Sequence, residues 1–179
     1  MNVLLKQDLE KWCIWKSEKF GLYSFTKFFL KYPEFRRLVD YRLKDMGPFK
    51  FFRIFTYFSS RGHKLFIKGK ISGGLLLQHA FCTIILCKQM GHDCKVMHQV
   101  TIGMRNGKIP SIGNNVTFGA GCKVLGGITI GDDVIIGANA VVLRNVPSHS
   151  IVAGVPASII KTRDINGNWV RVDVKKQSF

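Results

Sequence analysis

No stretch of the 179 residues approaches the roughly 18 consecutive apolar residues that a membrane-spanning helix needs. The first twenty residues carry mixed charge, with neither the apolar core nor the small-residue cleavage site of a secretory signal. A cytoplasmic protein is therefore expected. The five cysteines, Cys13, Cys82, Cys87, Cys94 and Cys122, are odd in number and match no zinc spacing. They read as reduced core residues rather than as a disulfide framework or metal site. No nucleic-acid-binding motif occurs anywhere. Acidic residues are scarce as well: 11 Asp and Glu stand against 27 Lys and Arg, a formal net charge of +16. An excess of that size speaks of partners rather than of fold.

The basic excess is concentrated early. Residues 1–70 hold sixteen Lys and Arg against six Asp and Glu, and eleven of the fourteen Phe lie between Phe20 and Phe66. In the first twenty residues Leu5, Leu9, Trp12 and Trp15 recur at helical spacing, which predicts an amphipathic helix. From Ser24 the pattern predicts a short helix, a second with Pro33 at its first position ending at Gly47, and a third from Pro48. The Phe residues form the core of a helical cap, or they join Lys50, Arg53 and their neighbours in docking on an anionic membrane surface. Nucleic acid is a third reading that no motif supports.

From Val96 to Pro147 the chain repeats every six residues. Val96, Ile102, Ile112, Phe118, Val124, Ile130, Ile136 and Val142 hold one apolar position, and Gly follows five of these eight. Val100, Val116, Cys122, Ile128, Val134, Ala140 and Val146 return four places on. A period of six fits neither a helix nor a long strand, but it fits a solenoid with three short strands per coil of about 18 residues. Four residues are inserted between Ile102 and Ile112, in the loop Met104 to Ser111. Ile71 and Leu77 extend the repeat backwards, so the solenoid is expected to begin near Ile67. The nineteen residues from Leu77 to Val96 are one more than a full coil, and the extra residue is expected near Lys88 to Met90. The expected division is a basic helical region over 1–66, a solenoid over 67–163, and a tail over 164–179 that includes a strand in GNWVRVDVKK.

Chemistry converges on one part of this scaffold. His79 and His98 each stand two places after an apolar repeat position, where a side chain faces outward. The extra residue between them would stack the two imidazoles about 5 Å apart. Such a pair disfavours double protonation and leaves a neutral imidazole to act as a base. The extruded loop, carrying Arg105 and Lys108, follows His98 and is expected to overhang the same groove. The turns Gly119-Ala120 and Gly137-Ala138, one coil apart, would leave backbone amides open to an extended amide-bearing ligand such as pantetheine. Arg144 and Lys161 are candidates for its phosphates.

The run LLLQHAFCTII, followed by QVTIG, the extruded loop, IPSIGNNVTFGAGCKVLGG and IVAGVPASIIK, resembles the hexapeptide-repeat acyltransferases. The likeness is to the serine acetyltransferase-like branch, and in particular to its short members associated with polysaccharide O-acetylation. It covers about residues 66–163 and implies a left-handed parallel β-helix, the family's exception to right-handed crossovers. It implies that His79 is the general base for a hydroxyl attacking the thioester of acetyl-CoA, with His98 in support. Coenzyme A would lie between subunits of a homotrimer, against turns that include Gly103, Gly119, Ala120, Gly137 and Ala138. Gln78, Arg105 and Lys108 are the candidate acceptor contacts.

The large helical domain of the serine enzymes has no counterpart of its size here, and three of their site features are missing. No acid stands around Lys64 to Phe66 to pair with the base, Gln78 replaces the acidic residue before it, and Ile109 replaces a loop histidine. The expected activity is therefore acetyl transfer to a sugar hydroxyl of a capsule or exopolysaccharide unit, without metal, with serine O-acetylation as the alternative. A zinc-dependent carbonic anhydrase would need three converging histidines, and His92 and His63 are poorly spaced for it. A non-catalytic scaffold is the last alternative.

Overall fold

A computed structural model describes residues 2–44 and 64–172 of the chain. The helix expected from Pro48, with Lys50, Arg53 and His63, lies outside the described residues. The fold is mainly β, a parallel solenoid preceded by helices. The N-terminal helices are α1 (Val3–Lys16), α2 (Leu22–Lys31) and α3 (Pro33–Leu43). Leu5, Leu9 and Trp12 are buried as their spacing predicts. α2 starts two residues earlier than expected and α3 ends four residues before Gly47, with Pro33 in its first turn. Phe28 and Phe35 are fully buried around Trp12, whose ring centroid lies 4.9 Å from that of Phe35. These described aromatics form a cap core, Phe20 and Phe66 are exposed, and Phe49, Phe51, Phe52, Phe55 and Phe58 lie outside the described residues.

Beyond the cap every apolar repeat position turns inward. Ile71, Leu77, Val96, Ile102, Ile112, Phe118, Val124, Ile130, Ile136 and Val142 are all buried. One face of the solenoid stacks β2 (Leu76–Leu77), β4 (Lys95–Val96), β7 (Thr117–Phe118), β10 (Ile135–Ile136) and β12 (Ser150–Gly154) in parallel. A second face stacks β3 (Thr83–Met90), β5 (Thr101–Gly103), β8 (Lys123–Leu125) and β11 (Val141–Val142). β3 is long enough to bend into the third face, where Met90 pairs with Ile112 of β6 (Ser111–Ile112), followed by β9 (Thr129–Ile130). β1 (Leu65–Ile71) covers the outer edge of β3. At the far end β12 forms an antiparallel hairpin with β13 (Ala157–Arg163) through the Gly154–Ala157 turn, and β14 (Trp169–Arg171) adds to it.

Three rows of corners run along the solenoid. The first, between the β2 and β3 faces, carries His79, His98, Gly119–Gly121 and Gly137–Asn139. The second carries the loop after β5, then Gly126–Gly127 and Arg144. The third is a ladder of polar side chains: Asn114 donates to Asp132, and Asn115 to Asp133 one coil below. No helix among the described residues is long and apolar enough to cross a membrane.

Candidate active site

The first corner row begins with an irregular turn. Leu77 pairs with Val96 and Ile85 with Ile102, so eight residues separate Leu77 from Ile85 where six separate their partners. The two additional residues lie in the turn that holds His79, not near Lys88 to Met90 as expected. β3 takes one back by spanning Ile85 to Met90 in five steps. A bulge opposite Gly69 in β1 does occur near Lys88, but it concerns the preceding coil. In the turn His79 and Cys82 adopt positive φ, 52° and 49°, which is rare for side chains of this size. The Phe81 amide donates to the His79 carbonyl, and Ala80 is buried beneath. His79 itself is exposed.

The additional residues change which ring lies above His98. Phe81, not His79, stacks on the His98 imidazole, with centroids 5.4 Å apart and planes 3° from parallel. The Gln99 amide donating to the Phe81 carbonyl fixes that register. The expected stack of two imidazoles is thus replaced by an imidazole on a phenyl ring. The His79 ring instead meets the indole of Trp15 edge to face, at 6.0 Å and 77°. Among the described residues no carboxylate is hydrogen-bonded to it. His92 and His149 differ in this, with Asp93 and Asp133 at 2.9 Å and 3.1 Å.

Below His98 the row continues in close contact. The His98 carbonyl accepts from Gly121, and Lys123 Nζ donates to the carbonyls of Gln99 and Gly121 at 2.9 Å and 2.8 Å. A Cβ on Gly119 would come within 2.7 Å of the Ala138 nitrogen, so only glycine lets these two turns stack. The Ala120 carbonyl accepts from Asn139, while the amides of Ala120 and Ala138 find no hydrogen-bond acceptor among the described residues. The open donors run in file, one coil apart.

The remaining candidates lie elsewhere. The inserted loop is a tight hairpin in which Arg105 and Lys108 exchange both backbone hydrogen bonds, with Asn106 and Gly107 at φ 52° and 71°. Asn-Gly is the sequence signal for that turn, and the sequence reading passed over it. The hairpin lies against Gly126 and Gly127, where added Cβ atoms would meet Arg105 Cβ and Lys108 Cβ at 3.3 Å and 2.9 Å. It belongs to the second corner row, one solenoid face away from His79, and does not overhang the His79 groove within one chain. Arg144 is exposed in the same second row. Lys161 pairs with Ile151 in the terminal hairpin, and Gly103 is buried on β5, where its carbonyl accepts from Gly126. A concavity of about 920 Å³ beside Asn2, Tyr41, Lys70 and Asn114 holds none of these candidates.

Residues 110–144 match the family described as bacterial transferase hexapeptide (six repeats). The serine acetyltransferase of Helicobacter pylori strain J99 is 37% identical over 146 residues, covering 75% of this chain and 85% of that protein. The chain belongs to the serine acetyltransferase family. It is an acyltransferase built on hexapeptide repeats. The Mycobacterium tuberculosis member of the family is 43% identical over 95 residues, which are 50% of this chain and 42% of that protein. The crystal structure of the Neisseria gonorrhoeae member in complex with serine superposes with a TM-score of 0.63 at 27% identity. That match covers 87% of this chain and 67% of the other.

In this family member the cysteines need one correction. Cys13, Cys87, Cys94 and Cys122 are buried, but Cys82 is exposed in the His79 turn and is no core residue. Burial pushes the Cys87 thiol up to about 11 and those of Cys94 and Cys122 to about 12, so these three stay protonated and inert. No trio of His, Cys, Asp or Glu among the described residues is placed to hold a metal ion, and His92 stands in the third corner row. Two contributors escaped the sequence reading. Lys123 braces the turn beneath His98, and nothing in its repeat position distinguishes it. Trp15 belongs to the helix's apolar stripe, a pattern that does not specify which solenoid turn it reaches.

Proposed function

We propose that this acyltransferase moves the acetyl group of acetyl-CoA to the hydroxyl of L-serine, with His79 as general base. The observation that carries the reading is the exposed His79 imidazole at the head of a file of open backbone amides. The neutral imidazole takes the hydroxyl proton as the oxygen attacks the thioester carbonyl. The tetrahedral centre then collapses, the C–S bond breaks, and the proton passes to the departing thiolate. The amides of Ala120 and Ala138 suit the amide groups of the pantetheine arm, and Gly119 and Gly137 let the turns that carry these amides stack closely on the next coil. Arg144 and Lys161 are proposed for the phosphates. The relatives' names support serine as acceptor.

A sugar hydroxyl is the second reading, favoured because no carboxylate among the described residues is hydrogen-bonded to His79. Free serine brings an ammonium group that requires a carboxylate, yet Gln78 stands beside the base and the nearby rings are Trp15, Phe81 and His98. Thiol release from acetyl-CoA, measured with L-serine and with a panel of monosaccharides and nucleotide sugars, separates the two. Serine is expected to give the highest kcat/KM. A sugar that exceeds it transfers the proposal to the glycan. A membrane contact has one support among the described residues, the exposed Leu22, Tyr23 and Leu30 of α2. The relatives' names give it none, and it is no part of the proposal.

The assembly proposed is a homotrimer. His79 and the open amides occupy the first corner row, while Arg105, Lys108 and Arg144 occupy the second. A groove that uses both needs the second row of a neighbouring copy, and closed threefold symmetry supplies one to every subunit. Light scattering should report three chains of 20.2 kDa. An active monomer would remove the shared groove.

A further inference from the structure

We infer that Trp15 is a positioning residue for His79, its indole setting the direction of the imidazole from outside the solenoid. The inference rests on the reading of His79 as the base. An imidazole that works as a base is ordinarily aimed by an acceptor on its second ring nitrogen. Two other histidines of this chain show the arrangement, His92 on Asp93 and His149 on Asp133. The ring of His79 has no such acceptor among the described residues. On an exposed turn at positive φ it would sweep through its rotamers.

The Trp15 indole limits that sweep. Its contact with His79, at 6.0 Å and 77°, is the edge-to-face geometry that aromatic pairs prefer. Trp15 is itself held on several sides. Trp12 meets it edge-on at 5.5 Å, Tyr32 lies at 6.4 Å, and the Lys16 ammonium sits 3.7 Å over its ring. The helix that carries it is tied to the strand that leads into the turn. Trp12 Nε1 donates to the Leu75 carbonyl at 3.3 Å, and the Leu75 amide donates to Asp8 at 2.8 Å. Leu75 precedes His79 by only four residues, so α1 grips the base's own segment while Trp15 walls one side of its ring. The other side is left for the acceptor hydroxyl.

A residue that works by aiming the base shows its effect in kcat. Trp15→Ala is expected to lower kcat roughly tenfold to a hundredfold, the cost of a small misplacement of a reacting group. The KM for acetyl-CoA and the affinity for coenzyme A should stay at wild-type values, which also reports an intact solenoid. Trp15→Phe, which keeps an aromatic edge, should recover most of the loss. In a His79→Ala background Trp15→Ala should lower the residual transfer no further. An equal loss in both backgrounds, a Phe variant no better than the Ala variant, or a change confined to KM would overturn the inference. Wild-type turnover by His79→Ala alone would instead overturn the reading of the base.

Discussion

His79→Ala is expected to lower kcat by roughly two to four orders of magnitude, the usual worth of a general base, with coenzyme A affinity little changed. The separation follows from the geometry, because the open amides of Ala120 and Ala138 lie along the row from His79 and do not depend on its ring. His98→Ala should cost less. The His98 ring is committed to its stack on Phe81, at 5.4 Å and nearly parallel, and its backbone carbonyl, which supports Gly121, survives the substitution. Single-turnover thiol release with saturating acetyl-CoA and acceptor reads both variants. Equal losses would give His98 a share in proton transfer, and wild-type turnover by His79→Ala would falsify its assignment as base.

The solenoid was legible because each six-residue repeat places one side chain inside, and that burial is the same physical demand at every coil. Ile71, Leu77 and the positions from Val96 to Val142 were therefore read from spacing alone, down to the smaller corner residues such as Cys122 and Ala140, while the inward Ile85 and Met90 of the irregular coil were not. The total excess between Leu77 and Val96 was also legible, but its location was not. A count of residues fixes the sum over a coil, whereas hydrogen-bond register decides which corner absorbs it. The corner proved to be the His79 turn, and the shift put Phe81 where His79 was expected. Cys82 was misread for the same reason, since a residue in an irregular turn has no repeat position to bury it.

The candidate residues were chosen from the sequence by type, and their distribution over the corners was not legible there. His79 and the Gly-Ala turns share one row of corners because intervals of a full coil keep residues on one corner. The loop after His98 is near it in sequence but one corner on in space, a consequence of the strand β5 between them. The orienting contact from Trp15 was out of reach altogether, because it joins a helix to a turn more than sixty residues away. Apolar spacing along α1 gives the buried stripe and nothing of what it faces.

What holds α1 in place leads to the second large effect. Arg42→Ala should destabilise the protein by about 3–5 kcal/mol, the cost of leaving one buried charge without its partner. Arg42 Nε donates to Asp8 at 2.7 Å, and its other nitrogens reach Asp8 again and the carbonyls of Ile71 and Ser72. Asp8 has no exposed surface and also accepts from the Leu75 amide. One ion pair thus joins α1, α3 and the strand ends before His79. Burial pushes the Asp8 carboxyl above the usual carboxylate range, against the opposing pull of Arg42 and the Leu75 amide. The desolvation of two buried charges offsets much of their attraction, so the pair fixes an arrangement more than it adds net stability. The double change Asp8→Leu with Arg42→Met should accordingly lie much closer to the wild type than either single alanine variant. Urea unfolding followed by circular dichroism and by tryptophan fluorescence measures all four proteins. A double variant less stable than either alanine variant would overturn the coupling of the two residues. The apolar double variant, if folded, should nonetheless lose turnover, because α1 then keeps only the Trp12 Nε1 bond to the Leu75 carbonyl and holds Trp15 less firmly against the base.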